Sequence, residues 1–459
     1  MNRTKLGWFI LLPALAMWLG WGIRGQMGHA DGAMIPGALA GLALCVLLAE
    51  KRFSRGLAVG LAAVAFGFGA DETTLESAGL VMHTIHHYTT ATALTGYIGL
   101  AVKGALWPLF GGACLGLAFA ASRYRRKDIA VAAGLMIAPF YAGWALINRP
   151  KLLYFSVTRH EIWGGLLFAA IALTVWLTVR GRTRIPLVLA LCAAVAGGIG
   201  YPVAVTLAGA GMHSSHVGMW YDWWKVAETT FGAFMGIGLG VGAYLVRDSI
   251  PDVAEPVRLP AGPGRRALGM IGGVVFVAIC TALYHRHVLP WIILGSALIC
   301  IAYFSVEAAW HLAVTMTFYA SAANVVRYWL REQHLGNAVV LWTLVVIAAL
   351  CVAWRVSGWW AEGGKVPIRS VFLFLMWVML ALSYLKTFVN HAALSAPAAS
   401  VAAAGGRWSY TLEAWGSGLT VDACFTIVAL VLTWTVYRVA RQHPIPEDKS
   451  ALRASEALT

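Results

Sequence analysis

Long apolar segments recur along the whole chain and limit what it can fold into more than any other feature. Hydrophobic residues make up 60% of the 459 residues and charged residues only 12%. Crossing a hydrocarbon core about 30 Å thick takes roughly 20 apolar residues in a helix, and a backbone in lipid has to satisfy its hydrogen bonds internally. The sequence therefore predicts an all-α polytopic integral membrane protein with about fourteen transmembrane helices. The expected spans are 6–22, 33–50, 56–75, 98–121, 129–147, 162–179, 185–208, 229–246, 267–284, 288–305, 308–330, 337–356, 367–389 and 418–439.

The basic residues predict how the chain is oriented. They crowd alternate connections, for example around Arg52, Arg125, Arg182 and Arg266, which is the positive-inside pattern and places both termini in the cytoplasm. This pattern accounts for the formal net charge of +14, so we expect a lipid bilayer as the surroundings and no nucleic-acid partner. The expected location is the bacterial cytoplasmic (inner) membrane. The cysteines lie in apolar segments without CxxC spacing, which argues against a disulfide framework.

Two short segments, Ala78–His86 (AGLVMHTIH) and Ala208–His216 (AGAGMHSSH), indicate an internal repeat. The offset is about 130 residues, and the same shift aligns His29 with His160. We therefore predict two parallel four-helix repeats followed by a six-helix bundle. The expected boundaries are 1–125 and 126–250 for the repeats, 251–266 for a cytoplasmic linker, 267–440 for the six-helix membrane region and 441–459 for a cytoplasmic tail.

The repeated HxxH pairs, His83 with His86 and His213 with His216, form a candidate metal site. If the repeats face each other across a pseudo-twofold axis along the membrane normal, their histidines meet in one outward-facing vestibule. Two imidazoles a helical turn apart suit zinc or another divalent metal. Histidine also titrates near neutral pH, so the same histidine cluster could instead relay protons. A duplication that kept these histidines for packing is the third alternative.

Three carboxylates, Asp71, Glu72 and Glu76, stand where the second repeat is uninterruptedly apolar. At membrane depth each costs a few kcal/mol, and such groups normally mark an ion or substrate path. In a helix, Glu72 and Glu76 would share one face. The alternative is that a solvated loop begins here.

The segment GWGIRGQMGHADG supplies Arg24, His29 and Asp31 between several glycines. Arg24 could hold an anionic group in a forked hydrogen bond, and glycine lets the backbone approach a ligand closely. The alternative is a tight turn in which Arg24 pairs with Asp31 or with a carboxylate at 71–76. The segment is similar to the openings of some bacterial multi-pass membrane proteins, and this resemblance implies no activity.

Further polar and aromatic residues complete the expected coupling or substrate-binding set. His160 joins it as the counterpart of His29, and Trp223 and Trp224 suit a sugar ring or an organic cation, with an interfacial aromatic belt as the alternative. In the six-helix region, polar residues near helix ends suggest that this region lines one side of the same cavity, with snorkelling or helix capping as the alternative. These residues are Glu307, His311, Asn324, Arg327, Arg331, Lys386, Asn390, His391 and Asp422.

The duplicated helical pattern favours a secondary active transporter for a small polar or anionic solute, coupled to protons or another cation. The alternative is a membrane-embedded enzyme with an extracytoplasmic active site, a transferase or hydrolase of lipid-linked sugar or acyl groups, with or without a metal. A structural or assembly protein whose polar residues merely pack is the third hypothesis. The sequence contains no P-loop, GxSxG or HExxH motif.

Overall fold

A computed structural model gives the fold. It describes residues 3–27, 32–69, 75–82, 90–155, 161–213, 222–253, 262–285, 290–331, 336–361, 366–390, 402 and 405–442. Within these residues all regular secondary structure is helical, as the apolar pattern predicts.

The described helices have the following order along the chain. They are α1 (Arg3–Gln26), α2 (Met34–Leu47), α3 (Arg55–Gly69), α4 (Leu75–Met82), α5 (Thr90–Phe119), α6 (Arg126–Gly143), α7 (Trp163–Gly181), α8 (Ile185–His213), α9 (Trp223–Val246), α10 (Pro263–His285), α11 (Trp291–Phe304), α12 (Val306–Trp310), α13 (Thr317–Arg331), α14 (Ala338–Ala361), α15 (Ile368–Asn390) and α16 (Arg407–Gln442). A π-helical segment, Trp144–Asn148, continues α6, and a second, His311–Met316, joins α12 to α13.

In the part of the chain that the structure describes, ten helices are long and apolar enough to cross a membrane. The other four expected spans coincide with α2, α3, α11 and the run from α12 to α13. These helices are shorter or more polar than a span requires: α2, for example, has 14 residues and is about 21 Å long. The multi-pass helical class is thus supported, while the expected number of fourteen stays a prediction.

Six helices form a closed ring in the first half of the chain. α1 packs on α2 and α9, α3 packs on α2 and α5, and α8 packs on α5 and α9. Aromatic rings from five of these helices meet at its centre: Trp21 lies 5.3 Å from both Trp107 and Phe231 and edge-on to Phe66, and Tyr201 stacks on Phe231 at 4.3 Å between ring centroids. The ring therefore encloses a packed aromatic core.

The six-helix region lies against one side of this ring. α15 packs on α1 and α2, α16 packs on α1, and α11 and α12 pack on α3. Within the region, α13 contacts both α14 and α15, and α10 packs along α14. One boundary of this region therefore runs between α1 and the pair α15 and α16.

The helix contacts of the two expected repeats differ in the described part of the chain. A pseudo-twofold axis would place α6 along α5, as α1 lies along α9. The backbone of α1 approaches α9 at Gly236 and Gly240, whereas their counterparts Gly112 and Gly116 face α8. Since α8 already occupies that side of α5, α6 packs on α7 and α11 instead. The glycine-rich segments thus join helices within one chain, and the repeat itself stays a prediction.

A fully buried ion pair braces the helices around α5. Lys103 Nζ lies 2.6 Å from Glu161 Oε1, and neither side chain is exposed. Lys103 also donates to the hydroxyl of Ser77 on α4, and Ser77 donates to the carbonyl of Phe155. The second oxygen of Glu161 accepts from the amide of Phe155 at 3.0 Å. The pair therefore ties α4, α5 and the chain before α7 together.

We expect Lys103→Met to destabilise the protein by about 3–5 kcal/mol, because it leaves the buried charge of Glu161 uncompensated. Combining Lys103→Met with Glu161→Gln should recover much of that loss, since the double variant buries no net charge. Thermal unfolding in detergent, followed by a thiol-reactive dye, measures both effects. Lys127→Met, at an exposed lysine, is the control. Equal melting temperatures for Lys103→Met and Lys127→Met would contradict a stabilising role of the ion pair.

Candidate functional site

The candidate site is a charge network in which Arg24, Lys225, Glu228 and Asp422 come together. Arg24 Nη1 lies 3.6 Å from Glu228 Oε1, and Lys225 Nζ lies 2.6 Å from Glu228 Oε2. These three side chains are only 6–9% exposed. One carboxylate therefore serves two cations that come from two different helices.

The start of α9 positions Lys225 and Glu228. Asp222 caps this helix, because its carboxylate accepts from the amide of Trp224 at 3.0 Å. Lys225 and Glu228 then follow in the first two turns and, being three residues apart, lie on the same face. They are the two charged residues of an otherwise uncharged helix, a signal for function at membrane depth.

The end of α1 supplies Arg24 and makes room for Glu228. Arg24 lies in the last turn of α1, with its guanidinium 5.1 Å from the ring centroid of Trp21. A Cβ at Gly25 would overlap the carboxylate of Glu228, and one at Gly22 would lie 2.6 Å from the ring of Phe425. Both glycines are helical, and the missing side chains let α9 and α16 approach.

Asp422 brings the six-helix region into the network. Its carboxylate, on α16, is fully buried and accepts from the hydroxyls of Ser383 and Thr387 on α15, each at 2.7 Å. A Cβ at Gly22 of α1 would meet both Phe425 of α16 and Thr229 of α9, so α9 and α16 come together at this level of α1. The network therefore crosses the boundary between α9 and the pair α15 and α16.

Lys386 extends the polar groups from α15 to α13. Its ammonium donates to the side-chain carbonyl of Asn324 at 2.9 Å and lies 5.0 Å from the ring centroid of Tyr328. Since Lys386 neighbours Thr387 in sequence and is itself buried, α13 is linked to the same face of α15. The expectation that Asn324, Lys386 and Asp422 line one side of a common cavity stays a prediction.

A second polar cluster lies at the other end of the run from α12 to α13. His311 is buried in the π-helical segment, with Nδ1 3.0 Å from the hydroxyl of Thr315 and Nε2 3.4 Å from that of Ser357. Glu307, one turn earlier, lies 3.9 Å from Arg265. π-helical turns recur at functional sites in proteins, and this one orients a histidine toward α14.

The structure describes only part of the site expected from the sequence. Arg24 joins the charge network, while Trp223 and Trp224 are half-buried and Trp223 packs over Gly211. His213 ends α8 and its Nδ1 is 2.7 Å from the carbonyl of Gly209. Glu76 is described only as part of α4. The remaining expected residues lie outside the described residues: His29, Asp31, Asp71, Glu72, His83, His86, His160 and His216.

Within the described ranges, no group of three or more His, Cys, Asp and Glu side chains could hold a metal ion. Since three of the four HxxH histidines lie outside those ranges, the metal site stays a hypothesis. The bond from His213 Nδ1 to a backbone carbonyl is the kind that orients histidine ligands in metal sites.

Sequence reasoning missed the central pair of the network. Lys225 and Glu228 stand directly after the tryptophans that drew attention as an aromatic platform. Their spacing of one helical turn within an apolar helix was the available signal. Their partner Arg24, about 200 residues earlier, follows only from the packing of α1 on α9.

Comparison with known proteins adds no relative. No family model, no curated protein and no solved structure matches the chain. The function therefore has to be argued from the site.

We expect Gly25→Ala to destabilise the protein by about 1–3 kcal/mol, the range typical of overpacking. Glu228 can make room only by moving its carboxylate away from Arg24 and Lys225. Gly7→Ala, on the same helix with open space around it, is the matched control and should be neutral or stabilising by up to about 1 kcal/mol. Melting temperatures in detergent measure both; a harmless Gly25→Ala would contradict the close approach.

The metal hypothesis predicts stoichiometric zinc or another divalent metal in the purified protein, and its loss when His83, His86, His213 and His216 are all replaced by alanine. Elemental analysis of both samples is the measurement. His443→Ala, outside the repeat, serves as the control and should keep the metal. Absence of metal from the wild-type protein would leave the histidines as proton or substrate groups.

Proposed function

We propose that the protein is a secondary active transporter for a small polar solute, coupled to protons or another cation, in the bacterial cytoplasmic membrane with both termini cytoplasmic. The observation that carries this proposal is the charge network across the boundary between α9 and the pair α15 and α16. Parallel repeats and binding sites between helix bundles are familiar features of transporters.

The energetic cost of the network supports a functional role. A buried ion pair stabilises a fold little more than well-packed apolar residues do, and ionised groups at membrane depth cost a few kcal/mol each. A chain that needed only stability could have joined α1, α9, α15 and α16 through apolar contacts. Charges placed at this boundary instead make its packing depend on ion binding.

Within this proposal, Asp422 and Glu228 are candidate sites for the coupling ion. Each is a buried carboxylate at the boundary, and Asp422 already accepts two hydroxyl hydrogen bonds. The carboxylates Asp71, Glu72 and Glu76 remain proposed members of the same path. The remaining proposed substrate-binding groups are Arg24, His29, Asp31, His160, Trp223 and Trp224.

Electrometry on membranes that carry the purified protein tests the proposal. Amino acids, monosaccharides, carboxylates and polyamines are applied in turn under an imposed pH gradient, and we expect charge movement with at least one class. Asp422→Asn should reduce the current at least about tenfold, which corresponds to about 1.4 kcal/mol, because the neutral amide cannot take up the coupling ion. Glu72→Gln and Glu76→Gln test the other carboxylates in the same way.

Asp248→Asn is the matched control, because this carboxylate is 76% exposed and lies beyond the end of α9. Its currents should equal those of the wild-type protein. Equal currents in Asp422→Asn would remove the charge network from the mechanism. Product formation from lipid-linked sugars or acyl donors in detergent, without solute uptake into sealed vesicles, would overturn transport in favour of an enzyme.

A further inference from the structure

An apolar cavity of about 530 Å³ lies between α14 and α15. The π-helical segment and α13 form its floor, with Val314 and Phe318, and its walls include Val352 of α14 and Val371 of α15. Small-molecule sites typically measure about 300–1,000 Å³, so the cavity is large enough for part of a lipid-sized ligand.

The cavity is accessible from the surface that faces lipid. Cys351 and Phe374, both lining residues, are exposed. Farther along α14, Leu344 and Ile347 are more than half exposed, which marks the outward face of this helix as lipid-facing in a membrane protein. An apolar space beside such a face suits a hydrocarbon chain.

The polar groups of the cavity give its ligand a charge. Arg355 and Ser370 are lining residues, and a guanidinium favours an anionic ligand. At the same end of α14, Arg266 of α10 lies 4.1 Å from the ring centroid of Trp354 and donates to the carbonyl of that residue. The positive-inside pattern assigns Arg355 to the cytoplasmic side, where anionic lipids give the leaflet its negative surface.

We propose that this cavity binds one acyl chain of an anionic phospholipid, whose phosphate is held by Arg355 and Ser370. The apolar walls contact the chain, the guanidinium forms charge-assisted hydrogen bonds with phosphate oxygens, and the hydroxyl of Ser370 donates to the same group. Basic pockets between transmembrane helices on the cytoplasmic side bind lipid headgroups in this way. The ligand is a component of the membrane and is independent of the transported solute.

Native mass spectrometry of the purified protein, titrated with phosphatidylglycerol or phosphatidylcholine, tests the proposal. We expect the wild-type protein to bind phosphatidylglycerol at least about tenfold more tightly, and Arg355→Gln to remove most of that preference. Cys351→Trp, which fills the cavity from its exposed side, should weaken the binding of both lipids.

Two matched variants separate this site from general effects. Arg184→Gln removes another exposed arginine, and Val340→Trp adds an indole to an exposed position of the same helix away from the cavity; both should bind phosphatidylglycerol like the wild-type protein. Equal binding of the two lipids would overturn the assignment of an anionic phospholipid. Undiminished binding to Cys351→Trp, or an equal loss in Arg184→Gln, would overturn the assignment to this cavity.

Discussion

The close approach of α1 and α9 is the interaction on which the charge network depends. In lipid, helices associate through van der Waals packing and hydrogen bonds, so small residues at the contact matter more than apolar area. Along α9, Gly232, Gly236 and Gly240 recur every four residues and therefore share one face. A Cβ at these positions would overlap the backbone of α1 at Met17, Pro13 and Phe9, respectively.

The row of glycines on α9 also explains how Glu228 is accommodated at the end of the contact between α1 and α9. Glu228 lies four residues before Gly232 and continues the glycine face of α9. At that level the small residue is on the other helix, since Gly25 of α1 receives the carboxylate. The exchange of large and small partners keeps the two backbones close while it buries a carboxylate between Arg24 and Lys225. The same four-residue spacing along α9 therefore places both the glycines that contact α1 and the carboxylate that pairs with Arg24.

Much of the fold could be predicted from the sequence, because helical spans depend on local apolarity alone. Each of the fourteen expected segments overlaps a helix, and in the part of the chain that the structure describes ten helices are long and apolar enough to cross a membrane. The charge network was less accessible, since Arg24 and Asp422 are about 400 residues apart and meet only through helix packing. The repeat layout stays a prediction, and its helix contacts were equally inaccessible to the sequence, because glycines at equivalent positions face different helices.

The run from α12 to α13 connects the two polar clusters. His311 lies in its π-helical segment, and Asn324 lies near its other end beside Lys386. With these polar residues, the run from α12 to α13 is not among the ten apolar spans. Several of its polar side chains are instead buried against other helices. A movement of this one run would change the surroundings of both clusters together.

The ion pair of Lys103 and Glu161 and the charge network differ in whether a carboxylate can be neutralised without leaving a buried charge unpaired. Lys103 and Glu161 are fully buried, and Glu161 also accepts from the backbone of Phe155, so neither partner can change its charge without leaving the other unpaired. Glu228 is instead shared by two cations, and Asp422 accepts hydroxyl groups that can also bond to a neutral acid. Asp422 can therefore be neutralised while Ser383 and Thr387 keep a hydrogen-bonding partner, whereas a neutral Glu228 would leave Arg24 and Lys225 without their carboxylate. This difference is why the charge network, and not the tighter ion pair, is the better candidate for coupling.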